Sequence, residues 1–200
     1  MTSKAKYRPD IQKRIDDRLS YMTDKHRKVM STRMDVRFPK EGYSHDGSND
    51  EISEFTKRLK EPYTEKGNEM QFVWARERNT SENVHYHFNI LLNGSMTQDP
   101  YSLFQKATKT WNTILGGEYD GLIDYGRHEY KGRKPPPSVM IEKPSSTARG
   151  EELERQQKAF DEAKEKARKR AEYLAKTYSK GDAPCRVREF GCSQLPKKPK

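Results

Sequence analysis

Residues 83–93 read NVHYHFNILLN, and an Asn93-Gly94 pair closes the run. The even positions Val84, Tyr86, Phe88, Ile90 and Leu92 are all apolar or aromatic. Alternation over this length predicts a strand with one apolar face. The preceding EMQFVWARER, residues 69–78, alternates too, with Met70, Phe72 and Trp74 on one side and Val73, Ala75 and Glu77 on the other. The short loop NTSEN joins the two runs, which predicts an antiparallel hairpin. A slip of one residue turns every side chain over, so the apolar faces meet only if facing residues share parity. Placing Trp74 opposite Phe88 and Phe72 opposite Ile90 puts Glu77 opposite His85. In every register that keeps the apolar faces together, Glu77, His85 and His87 project from one face.

Two imidazoles and a carboxylate on one face have two readings. They are solvated or hydrogen-bonded polar residues, or they are ligands of a divalent cation. As ligands the nitrogens suit manganese, cobalt, nickel or zinc, with magnesium held more weakly. Three protein ligands leave coordination positions open, as a catalytic metal requires.

Working outward, PDIQKRIDDRLSYM after Arg8 carries Ile11, Ile15, Leu19 and Met22 at helical spacing. KVMSTRMDVRF then alternates, with Met30, Thr32, Met34, Val36 and Phe38 on one face and Ser31, Arg33, Asp35 and Arg37 on the other, which predicts a strand with one wet face. Ile52, Phe55 and Leu59 share the side of a short helix expected to close before Pro62. Asp99-Pro100 opens a helix through Leu103, Phe104, Ala107, Trp111 and Leu115, stopped by Gly116-Gly117. GLIDYGRHEY and SVMIEK are weaker strand candidates around the basic loop KGRKPPP. From about Gly150 to Tyr178 the composition predicts one long helix, about 40 Å if unbroken. On it Lys166, Lys169, Arg170, Lys176 and Lys180 share a face with Tyr173. The tyrosine is either incidental on a solvated basic helix or a nucleophile, and Lys176 one turn on could activate its phenol.

The chain has 200 residues, few of them apolar (31%), with forty Lys and Arg against thirty Asp and Glu, a formal net charge of +10. This favours a polyanionic partner, and nucleic acid over a membrane because no segment carries a Trp/Phe-rich apolar face. There is no Gly-x-x-x-x-Gly-Lys-Ser/Thr loop, so no ATP hydrolysis is expected. Neither a membrane span nor a secretory signal is visible, and a cytosolic protein is expected. Cys185 and Cys192 read as reduced thiols.

VMSTRMDVRF, FVWARE with HYHFNILLN, and AEYLAKTYSK, in this order, resemble the motifs of the HUH endonucleases, the tyrosine nickases of rolling-circle replication. The nearest likeness is to the inovirus (filamentous phage) replication initiators, which share a domain with the YagK/YfjJ prophage proteins. The resemblance implies an α+β fold, an antiparallel β-sheet packed against α-helices, with the nucleophile on the long C-terminal helix. It implies a helical extension over residues 1–27, the endonuclease domain over 28–180 and a flexible basic tail over 181–200. It places metal ligation on Glu77, His85 and His87 with magnesium or manganese as cofactor, the nucleophile on Tyr173 and its helper on Lys176. Arg76, Arg78, Lys169, Arg170 and Lys180 are the expected DNA contacts. Single-stranded or origin DNA would be the substrate, with a host helicase and polymerase as partners in a bacterial host's cytoplasm. Tyr173 and Tyr178 stand five residues apart, so a single-tyrosine mechanism is expected. Arg33 and Asp35 stand where many relatives carry hydroxyl residues and receive no catalytic role. The competing readings are a catalytically inactive DNA-binding or regulatory protein on the same fold, and a zinc-stabilised interaction protein needing a fourth ligand from His128, Cys185 or Cys192.

Overall fold

A computed structural model describes residues 7–78, 84–125, 136–177 and 183–196. The fold is α+β, a six-stranded antiparallel sheet between two helical layers. In chain order the elements are α1 (Pro9–Lys25), β1 (Lys28–Arg37), α2 (Asp50–Glu65), β2 (Met70–Glu77), β3 (His85–Asn93) and α3 (Tyr101–Leu115). They continue with β4 (Ile123–Asp124), β5 (Ser138–Glu142), α4 (Gly150–Ala171), a 3-10 turn (Glu172–Ala175) and β6 (Phe190–Cys192). The strands run β4-β1-β3-β2-β6, and β5 lies beside β4 on the outer edge of β1. No described helix is long and apolar enough to cross a membrane.

The β2–β3 register is the one parity requires, with Trp74 opposite Phe88 and Glu77 opposite His85. The β1–β3 register keeps parity as well, with Met34 opposite Phe88 and Asp35 opposite His87. The even side chains of β1, β2 and β3 therefore form one apolar face, covered by Ile52, Phe55 and Leu59 of α2 and Leu103, Ala107 and Trp111 of α3. Trp111 donates Nε1–H to the Arg37 carbonyl at 2.8 Å, which satisfies its one polar atom in the core. Gly116 ends α3 at φ 71°, the left-handed position that glycine accepts without strain.

The odd face is also covered, which corrects the expected wet face of β1. Ser31, Arg33 and Asp35 are buried because α1 and α4 lie over that side. Ile11 and Ile15 of α1 pack with Val73, Ala75, Ala171 and Leu174, while Leu19 and Met22 pack with Val29, Leu91, Ile141 and Ala167. The helix read as an N-terminal extension thus forms half of a core layer. Three further expectations change. α2 passes Pro62 and ends at Glu65, because Tyr63 is anchored in the core and only the last turn loses a backbone donor. The long helix stops at Ala171, where the chain tightens into the 3-10 turn and buries Leu174 and Ala175. Residues 190–192, expected in a flexible tail, add β6 to the open edge of β2.

Candidate metal and tyrosine site

The odd face opens into a polar cluster at the end of the sheet where β2 stops and β3 begins. β2 supplies Glu77, β3 supplies His85 and His87, and β1 supplies Arg33 and Asp35. The side chains meet because the antiparallel registers hold their parity in step across three strands. Glu77 Oε2 lies 3.1 Å from His87 Nε2 and 3.9 Å from His85 Nε2. One ligand atom from each of the three lies within 4.8 Å of the others. Ligands about 2.0–2.2 Å from a common cation stand at most ~4.4 Å apart, so the set closes on an ion with shifts of a few tenths of an ångström. The donor types and their separation fit a divalent cation.

Behind the ligand atoms, Asp35 Oδ1 accepts from His87 Nδ1 at 2.6 Å. This contact turns Nε2 of His87 toward Glu77 and the cluster, the arrangement by which carboxylates orient metal-binding histidines. Burial opposes the charged form of His87, yet the bonds to Asp35 and Glu77 outweigh it and hold the pKa above the ordinary histidine value. Burial, with the neighbouring charge of His87, pushes His85 the other way. Asp35 is buried too, but its bond to His87 and the nearby charges of His87, Arg33 and Arg37 keep its carboxyl below the usual range. With both nitrogens protonated the His87 ring bridges Asp35 and Glu77, and a bound cation would take the place of the Nε2 proton.

A second group, His45, Asp46 and Glu51, is equally close-set but fits a cation poorly. The Gly47 N–H donates to His45 Nδ1, which leaves the imidazole's own proton on Nε2, the nitrogen 3.7 Å from Glu51.

Tyr173 reaches the first cluster from the 3-10 turn after α4. Its ring meets that of His87 edge to face, centroids 5.1 Å apart. Lys176 Nζ and the Arg33 guanidinium carbon each lie 4.2 Å from the Tyr173 ring centroid. The turn is anchored from the N-terminal side: the Arg8 N–H donates to the Ala175 carbonyl at 2.8 Å, and Tyr7 bridges Lys176.

The structure therefore gathers Glu77, His85, His87, Tyr173 and Lys176 into one site. The residues expected to contact DNA are dispersed. Arg76 faces the other side of the sheet, buried, where it donates to the carbonyls of Gly47 and Ser48 at 2.8 and 3.2 Å. Arg78 and Lys169 are exposed, Lys169 beside Glu165, and Arg170 reaches the Pro137 carbonyl. Lys180, Tyr178, His128 and most of the KGRKPPP loop lie outside the described residues. Sequence reasoning passed over Arg33 and Asp35. The parity that placed Glu77 also places them, once β1 is known to lie beside β3.

Residues 1–124 match the family model for the YagK/YfjJ C-terminal domain. That span holds Arg33, Asp35, Glu77, His85 and His87, and Tyr173 lies beyond it. No curated protein and no solved structure matches the chain.

Proposed function

The chain belongs to the YagK/YfjJ C-terminal domain family, and from its site we propose that it nicks DNA through a covalent tyrosine intermediate, in the manner of the HUH replication initiators. The observation that carries this reading is the Tyr173 ring 5.1 Å from His87, beside the Glu77, His85 and His87 donor set. A magnesium or manganese ion held by those three residues would supply Lewis-acid polarisation of a scissile phosphate and orient it. The chain's own part is nucleophilic. The Tyr173 oxygen forms a bond to phosphorus as the bond to the 3′ oxygen breaks, the phenol gives up its proton and the departing 3′ oxygen gains one. The products are a free 3′ hydroxyl, ready for a host polymerase, and a 5′ phosphotyrosine that a second transesterification releases. Asp35 holds His87 in the required orientation, and Lys176 places a cation against the phenol as it loses its proton. The substrate is single-stranded or locally melted origin DNA, unwound by a host helicase in the bacterial cytoplasm, and a rolling-circle phage or prophage replicon is the context.

The test is nicking of a supercoiled plasmid that carries the replicon's own origin. Wild-type protein with magnesium or manganese should give nicked circles and a protein-DNA adduct that survives denaturation. Chelation and Tyr173→Phe should each reduce both about 1,000-fold or more. An adduct that persists in Tyr173→Phe overturns the choice of nucleophile. Origin binding with no nicking under any metal leaves a DNA-binding regulator instead.

A further inference from the structure

Arg33 is set apart by the hydrogen bonds that its buried guanidinium leaves unmade. Its side chain is 7% exposed, and its Nε and Nη2 are buried with no hydrogen-bond partner among the described residues. These two nitrogens form the side-on edge of the guanidinium, where two N–H groups point in parallel at a matching pair of oxygens. Three other arginines show that edge filled. Arg168 sets it on Glu165 at 2.8 and 3.0 Å, Arg155 on Glu152, and the buried Arg18 on the Ser193 carbonyl. The nearest acid to Arg33 is Asp35, 3.5 Å from Nη2 without hydrogen-bond geometry, and its Oδ1 is already taken by His87. Leaving two charged donors unmatched in a buried site is costly, and folding alone gives no reason to retain them.

The location supplies a reason. The guanidinium lies against the Tyr173 ring, and Asp35 links it to His87 of the donor set. Lys176 lies against the same ring at 4.2 Å, so two cations flank the tyrosine. An anion that offers two oxygens side by side on one atom would satisfy the edge.

We propose that Arg33 is a phosphate-binding residue, its Nε and Nη2 edge taking the two non-bridging oxygens of a DNA phosphodiester beside Tyr173. The anion site stands on this geometry alone; only the identification of the diester as the nicked one rests on the function proposed above. Both nitrogens are closed off from solvent, so the anion displaces neighbouring side chains as it enters.

The experiment titrates the full chain, in chelator so that no metal contributes, with inorganic phosphate and with dimethyl phosphate, against chloride at matched ionic strength. Binding is read by thermal shift and by broadening of the phosphorus resonance. Wild type and Tyr173→Phe should bind both phosphates beyond the chloride response. Arg33→Lys keeps the charge but loses the fork and should weaken binding about 10- to 100-fold. Arg33→Met should abolish it while melting at or above the wild-type temperature, which shows that the variant folds. Phosphate binding in Arg33→Lys equal to wild type, a wild-type response no larger than that to chloride, or binding of inorganic phosphate without dimethyl phosphate would each overturn the proposal. Nicking that survives Tyr173→Phe, with phosphate binding still dependent on Arg33, removes the function and leaves this site. Normal nicking and normal phosphate binding by Arg33→Lys do the reverse.

Discussion

At the scale of the residue, the decisive contacts are those that sequence patterning assigns to a face without naming a partner. Asp35 makes no contact with the proposed ion, yet its 2.6 Å bond fixes which nitrogen His87 presents. Asp35→Asn keeps the volume and removes the charge, so manganese affinity should fall about 10- to 100-fold, measured by calorimetric titration or spin resonance. An unchanged affinity would mean that Asp35 does not orient the ligand. Arg76 makes the opposite case. The resemblance made it an expected DNA contact, but its even position turns it to the face opposite Glu77, onto the carbonyls of the loop before α2. Arg76→Ala leaves those carbonyls unmatched and should cost about 1–3 kcal/mol in urea denaturation, with manganese affinity unchanged. Glu77, His85 and His87 were legible because a hairpin is local and parity alone sets its faces. Arg33 and Asp35 were not, because only the long-range pairing of β1 with β3 brings them to His87.

At the scale of the element, local pattern explains the helices and the long strands, and fails where packing overrides it. α4 illustrates this. Its charged composition favours a helix running past Tyr173, but burial of Leu174 and Ala175 against Val73 and Ile11 tightens the last turn and aims the tyrosine at the sheet. β6 is a second case: three residues in a Gly- and Pro-containing stretch carry no strand signal, and their partner β2 lies more than a hundred residues away. What fixes β6 is side-chain fit. Ser193 bonds to Gln71 and to the Phe72 backbone, Arg18 holds the Ser193 carbonyl, and Gly191 lies flat against the indole of Trp74. A Cβ at Gly191 would sit 2.5 Å from that ring. Gly191→Val should therefore lift β6 from the edge and cost about 1–3 kcal/mol in urea denaturation. It should also increase self-association by exposing β2, measured by light scattering. A variant as stable and as monodisperse as wild type would show that β6 contributes little to closing the sheet.

At the scale of the whole molecule, a chain with a formal charge of +10 and few apolar residues must hold its layers together partly through polar seams. One seam lies where the end of α1 meets the start of β2: Glu69 accepts from Lys25 at 2.9 Å, His26 at 3.0 Å and Gln71 at 3.1 Å. Burial opposes the charge of Glu69, but the hydrogen bonds from Lys25, Tyr21, His26 and Gln71 outweigh it and bring the pKa from 4.5 down to about 2. A carboxylate more acidic in the folded state than in the unfolded one stabilises the fold above the unfolded value. Its contribution is complete above about pH 4.5 and is lost as pH falls through about 2. Because the carboxylate is only part-buried, solvent screening reduces the effect to about 1–2 kcal/mol. Wild type should exceed Glu69→Gln by that amount in urea denaturation at pH 6–7, with the gap narrowing below pH 4.5 and closing near pH 2. The net positive charge rises over the same interval as other carboxylates protonate, but that repulsion acts on both proteins and cancels in the comparison. A gap that stays constant down to pH 2 would show that the contribution of Glu69 is packing rather than charge, and that the α1 layer is held to the sheet by Ile11, Ile15, Leu19 and Met22 without it.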